Sequence, residues 1–227
     1  MKPSPATGSE LLRLRWLGLM EYEPVQRAME AFTLARTEDS ADEIWLLEHP
    51  PVYTLGMNCK HPTITPPNDI AVVKTDRGGQ ITYHGQGQIV IYVLVNLRRL
   101  QWGIKRLVQE LEQTVIDLLA EHNIQAQRQQ GAPGVYVHNK KIAALGLRVR
   151  RGCSYHGLAV NVDMDLEPFT HIDPCGYPGL EATQLRDLEI HATINEIGNA
   201  LGHSLATKLG YNGCDPTNDR PKPIRNA

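Results

Sequence analysis

Apolar positions recur along this chain in two rhythms, one helical and one alternating or continuous, and the rhythm switches from segment to segment. Val25, Ala28, Met29 and Phe32 fall at helical spacing, with Pro24 suited to a first turn. Ile44-Trp45-Leu46-Leu47 is a short apolar run closed by Pro50-Pro51. Val52 to Gly56 and Ile70 to Val73 read as further strands. Ile89 to Val95 is nearly all apolar and β-branched, the pattern of a strand covered on both faces.

A long amphipathic helix follows, marked by Ile104, Leu107, Val108, Leu111, Val115, Leu118 and Leu119. Gly134 to Val137 and Ile142 to Val149, separated by His138-Asn139-Lys140-Lys141, predict a hairpin, and Leu158 to Val162 another strand. Thr193 with Glu196 forms a capping box that opens a last helix along Ile194, Ile197, Leu201, Leu205 and Leu209. Strands and helices interleaved in this way predict an α+β fold of α/β type, a mixed β-sheet packed with helices. Residues 1–10 and 212–227, polar, proline-bearing and without periodicity, read as flexible tails. No linker or repeat divides the rest, so 11–211 reads as a single domain.

Composition narrows the function classes. Apolar residues make up 41% of the 227, ordinary for a globular protein, and a net charge of −2 argues against nucleic-acid binding. No apolar run approaches the roughly 20 residues of a membrane span, and Met1 to Ser9 lacks a signal-peptide core, so the expectation is a cytoplasmic protein with no membrane partner. The four cysteines are too scattered for a disulfide scaffold and read as thiols. Cys59 with His61 and Cys153 with His156 do not have zinc-knuckle spacing, so no metal is expected.

Three segments carry candidate chemistry. Cys175 lies in Asp173-Pro174-Cys175-Gly176-Tyr177-Pro178-Gly179, where prolines and glycines dictate a shaped loop and make the thiol a candidate nucleophile. Asp76 to Gln88 holds four glycines, which allow close backbone approach and N–H groups that cradle oxygen atoms; Arg77 and His84 stand within it. It matches neither a phosphate loop nor a dinucleotide fingerprint. In Lys141-Ile142-Ala143-Ala144-Leu145-Gly146, strand alternation puts Lys141, Ala143 and Leu145 on one face, where the lysine either snorkels or sits in a pocket. A nearby ammonium favours a thiolate, and His84, His156 and His171 are the other available partners for Cys175.

Together these segments resemble the octanoyltransferases, the lipoyl(octanoyl) transferase branch of the lipoate–biotin protein ligase superfamily. The matching pieces run in order from about residue 40 to 185. They begin with Glu48-His49-Pro50, Tyr53-Thr54-Leu55-Gly56 and Arg77-Gly78-Gly79-Gln80-Ile81-Thr82-Tyr83-His84-Gly85. They continue with Gly131 to Val137, Lys141 to Gly146, His156-Gly157-Leu158-Ala159-Val160-Asn161 and Pro174-Cys175-Gly176. Gln86 stands where the family more often has proline.

The resemblance implies the biotin/lipoate protein ligase catalytic-domain fold and transfer of an octanoyl group from octanoyl-acyl carrier protein to a lysine. That lysine belongs to lipoyl domains of 2-oxo acid dehydrogenases or to the glycine-cleavage H protein. Carried over by position, Cys175 is the acyl-thioester nucleophile and Lys141 the residue that lowers its pKa. The acyl pocket would be lined by Arg77, Gly78, Gly79, Gln80, Ile81, Thr82, Tyr83 and His84, by Ala144, Leu145 and Gly146, and by Gly157, Leu158 and Ala159. No cofactor is called for, since passing an acyl group from thioester to thiol is balanced and on to an amine is downhill.

Lys140, Lys141, Arg148, Arg150 and Arg151 read as one basic patch at the hairpin, suited to acidic carrier proteins. A monomer is the default. The alternatives are an ATP-dependent lipoate or biotin protein ligase, an acyl-binding module without activity, and a cysteine hydrolase.

Overall fold

Leu12, Leu14 and Trp16 alternate with Arg13 and Arg15, a period-two pattern that forms the first strand of the main sheet. The protein is described by a computed structural model over residues 12–59, 70–172 and 180–212 and the backbone of 214–217. Its strands are β1 (Leu12–Leu19), β2 (Glu43–Glu48), β3 (Val52–Leu55), β4 (Ala71–Lys74), β5 (Ile81–His84), β6 (Gln88–Leu94), β7 (Gln127–Gln129), β8 (Ala132–Val137), β9 (Lys140–Arg150), β10 (Cys153–Asn161) and β11 (Cys214–Thr217). The helices are α1 (Tyr22–Ala35), α2 (Leu97–Leu100), α3 (Ile104–Glu121) and α4 (Ile194–Lys208).

Eight strands form a mixed sheet in the order β11-β1-β2-β6-β10-β9-β8-β7, and β4-β3-β5 form a small second sheet. The continuous apolar run of β6 is explained by its place in the middle. Ile89, Ile91 and Val93 face a core built with Leu107, Leu111 and Val115 of α3 and Ile197, Leu201 and Leu205 of α4. Val90, Tyr92 and Leu94 face the other way, onto Val25 and Met29 of α1. α4 opens with the expected capping box, in which Thr193 accepts from the Glu196 N–H and Glu196 reaches back to the Thr193 N–H. No helix among the described residues is long and apolar enough to cross a membrane.

Three expectations need correction. The segment read as a C-terminal tail contributes β11, paired in parallel with β1; its Pro216 lacks a donor, which an outermost strand tolerates. The hairpin turn between β8 and β9 is only His138-Asn139, both at positive φ (48° and 65°), so Lys140 and Lys141 belong to the strand. The basic patch is divided. Lys140 lies at one end of β9, paired with Glu181 at 2.6 Å, whereas Arg150 and Arg151 lie at the other, about 30 Å away at strand rise. The tail 1–10 lies outside the described residues.

Candidate active site

β9 departs from simple alternation at the residue that matters most. Gly134 pairs with Ala144 and Val135 with Ala143, but Tyr136 pairs with Lys141, so Ile142 is an extra residue in a β-bulge. Ile142 and Ala143 both enter the helix-side core. Lys141 is thereby turned to the opposite face, beside Ala144 and Gly146, rather than sharing a face with Ala143 and Leu145. It is buried (7% exposed), and Nζ lies 5.2 Å from the centre of the Tyr136 ring. Its main chain is held by residues after the cysteine loop: Lys141 N–H donates to Glu181 O at 2.8 Å, and Thr183 N–H donates to Lys141 O at 3.0 Å.

The face carrying Lys141 forms one wall of a pocket. From β9, β10 and β6 come Ala144, Gly146, Gly157, Ala159, Val90 and Tyr92; Leu145 and Leu158 also border it while packing on the helix-side core. The opposite wall is the glycine-rich segment, through Arg77, Gly79, Gln80, Ile81, Thr82 and His84. Gly78 and Tyr83 stand off the wall: Gly78 faces Leu147, and Tyr83 turns to the far side of β5 against Tyr53 and Phe169. Phe169, Leu180, Glu181 and Ala182 complete the Lys141 end.

The glycines act chiefly through close packing. Gly78 N–H donates to Leu147 O at 2.9 Å, and a Cβ on Gly146 would stand 2.8 Å from Gly78 O. Gly87 N–H donates to Glu48 Oε1 at 2.7 Å. These two N–H groups are therefore engaged within the protein rather than offered to a ligand.

Burial sets the charge states. His84 donates from Nδ1 to Gln88 Oε1 at 2.7 Å, and Thr54 Oγ1 stands 3.5 Å from Nε2. Burial, then the neighbouring His49, pushes its pKa down to about 3. His49 donates from Nδ1 to Met20 O and faces the Tyr92 hydroxyl through Nε2. Burial lowers it to about 4, against the bond to Met20. His156, at φ 58°, is held by Asp76 at 2.9 Å; burial lowers its pKa although Asp76 opposes the shift. Burial pushes the Asp76 carboxyl up, but hydrogen bonds from His156 and Tyr155 outweigh this and leave it below the usual range.

Of the three histidines proposed as thiol partners, His84 is thus neutral and engaged. His156 pairs with Leu147, six residues along β9 from Lys141 and roughly 18 Å away at strand rise. His171 closes a 3₁₀ turn, its Nε2 2.5 Å from Glu167 Oε1.

Cys175 and residues 173–179 lie outside the described residues, as does His61. Their described neighbours on the chain border the site. Leu180 lines the pocket, and Ile172 packs with Phe169, which lines it too. Sequence reasoning missed Tyr22, Tyr92, Phe169 and Leu180 to Ala182. Tyr92 had a signal, a polar-tipped ring inside an otherwise aliphatic strand; the others had none.

Comparison with known proteins bears on this arrangement. Residues 23–206 match the model of the lipoyl protein ligase A/B catalytic domain. The chain is 58% identical over 205 residues to an octanoyltransferase of Thiobacillus denitrificans, covering 90% of this chain and 92% of that protein. It is 55% identical over 193 residues to an octanoyltransferase of Dechloromonas aromatica, covering 85% and 94%. Among solved structures, a bi-partite lipoate protein ligase from Thermoplasma acidophilum superposes with a TM-score of 0.71 at 16% identity, covering 91% and 87%. A biotin protein ligase from Aquifex aeolicus gives 0.56 at 14% identity, covering 87% and 70%. These two likenesses establish the fold.

Proposed function

The chain belongs to the lipoyl protein ligase A/B catalytic-domain family, and we propose that within it the protein is an octanoyltransferase working through a Cys175 thioester. The donor is octanoyl-acyl carrier protein. The acceptor is a lysine on lipoyl domains of 2-oxo acid dehydrogenases or on the glycine-cleavage H protein. The observation that carries the reading is Lys141, a buried lysine at one end of a pocket to which β9 and β10 contribute the small residues Ala144, Gly146, Gly157 and Ala159. Such a wall leaves room for an alkyl chain, and Leu180, next described after the cysteine loop, lines the same pocket.

The chemistry closes with this chain's own groups. The Cys175 thiolate attacks the donor's thioester carbonyl; the carrier thiolate leaves and takes a proton from the Lys141 ammonium. Neutral Lys141 then accepts a proton from the incoming substrate ammonium. The freed amine attacks the enzyme thioester, its nitrogen gives up a second proton to solvent as the amide forms, and the Cys175 thiolate leaves with Lys141 again an ammonium. A thiolate nucleophile needs a reducing compartment, so the proposal includes a cytoplasmic location. It also takes the protein as a monomer.

The second reading, an ATP-dependent ligase on the same fold, is separated by one assay. We expect a lipoyl domain to gain an octanoyl group from octanoyl carrier protein without ATP. Conjugation that needs ATP and free octanoate would replace this reading with the ligase.

The pocket itself is open to a separate test. Ala144→Leu adds three carbons to a partly open wall. At about 0.8 kcal/mol per lost methylene contact, kcat/KM for octanoyl carrier protein should fall roughly 60-fold. A butanoyl donor should lose far less. Equal losses for both chain lengths would mean that Ala144 does not line the acyl site.

A further inference from the structure

A run of buried polar groups beside the pocket forms one hydrogen-bond chain whose direction is set at both ends. It begins at Arg77, which can only donate: Nε and Nη2 reach Thr54 Oγ1 at 3.2 and 2.8 Å. With its lone pairs engaged, the Thr54 hydroxyl turns its proton toward His84 Nε2 at 3.5 Å. His84 therefore carries its ring proton on Nδ1 and gives it to Gln88 Oε1 at 2.7 Å. The Gln88 amide donates to Tyr83 O at 3.3 Å and to Asn161 Oδ1 at 3.0 Å. Asn161 Nδ2 donates to Thr183 O at 2.9 Å. Turning over either amide would set oxygen against oxygen, so only one orientation satisfies the chain. Arg77, Thr54, His84, Gln88 and Asn161 are all buried.

The last link reaches Lys141. Asn161 grips the segment after the cysteine loop twice, by its side chain on Thr183 and by its carbonyl, which accepts from Leu185 N–H at 3.0 Å. That segment in turn makes both main-chain hydrogen bonds described for Lys141. We propose that Gln88 and Asn161 are positioning residues for Lys141. Oriented from Arg77 through Thr54 and His84, they clamp residues 181–185 and so fix the lysine at its end of the pocket. The proposal rests on the reading of Lys141 as the proton carrier for acyl transfer.

The test uses near-isosteric changes in the full-length protein. Asn161→Asp removes the donor to Thr183, and Gln88→Glu removes the donor to Asn161. In both, amide hydrogen exchange at Lys141 and Thr183 should speed up about tenfold or more, measured against core amides of β6. The kcat for octanoyl transfer should fall roughly 10- to 100-fold while KM for octanoyl carrier protein stays within about twofold. In His84→Gln, which supplies one donor and one acceptor, exchange at Lys141 and Thr183 should stay close to that of the wild type, whereas in His84→Leu it should speed up as in Asn161→Asp.

Wild-type exchange at Lys141 and Thr183 in Asn161→Asp would overturn the clamp. So would equally accelerated exchange in His84→Gln and His84→Leu, which would make ring packing the cause. Exchange reads the clamp independently of substrate. A wild-type protein that transfers no octanoyl group would contradict the proposed function instead.

Discussion

Lys141→Met should slow formation of the octanoyl-enzyme by about 1,000-fold, within the span that a positioned proton-transfer group contributes. Methionine matches the lysine stem in length and apolar character, so the buried packing against Tyr136 is kept and only the charged, proton-carrying head is lost. Single-turnover mixing with octanoyl carrier protein gives the rate. Without the ammonium the thiol returns to ordinary ionisation, only a few per cent thiolate at pH 7 for a pKa of about 8.5. The variant's rate should then climb about tenfold per pH unit between pH 6.5 and 8, whereas the wild type changes little. A loss under tenfold with an unchanged pH profile would remove Lys141 from the proton chemistry.

The size of that effect depends on a detail of the strand. Had β9 continued without its bulge, Lys141 would point with Ala143 and Leu145 into the core against α3 and α4. A buried ammonium there would be costly without a partner. The extra residue at Ile142 keeps the apolar run in the core and delivers the lysine to the other side. Bulges beside functional groups commonly re-aim a side chain in this way.

How far residues alone reveal this architecture differs by element. Ile89–Val95 as a doubly covered strand, the α3 stripe and the α4 capping box are legible because each is a local pattern with one physical reading. The strand β1 went unread although Leu12-Arg13-Leu14-Arg15-Trp16 displays the alternation. Strand β11 was not, because a short edge strand containing Pro216 has no alternation to display.

The bulge was invisible for a different reason. Lys141-Ile142-Ala143-Ala144 alternates acceptably in either phase, and only the partner strand's register decides between them. The glycine-rich segment was found by composition, yet its glycines at 78 and 87 prove to serve backbone packing and turn geometry. The buried links among His84, Gln88, Asn161 and Thr183 join residues up to 73 positions apart in a single bond. No local spacing encodes such links.

Cys175 carries the largest expected effect, since the thioester route ends without it. Serine is a far weaker nucleophile at neutral pH because its hydroxyl stays protonated, whereas the thiol ionises readily beside a cation. Cys175→Ser should therefore lose octanoyl transfer to below detection while keeping wild-type thermal stability. The most direct measurement is intact-protein mass spectrometry after mixing the wild type with octanoyl carrier protein in the absence of a lipoyl domain. The account predicts a single octanoyl adduct, localised to Cys175 by peptide mapping, absent from Cys175→Ser and discharged when a lipoyl domain is added. An adduct on another residue, or transfer to the lipoyl domain by Cys175→Ser at the wild-type rate, would contradict it.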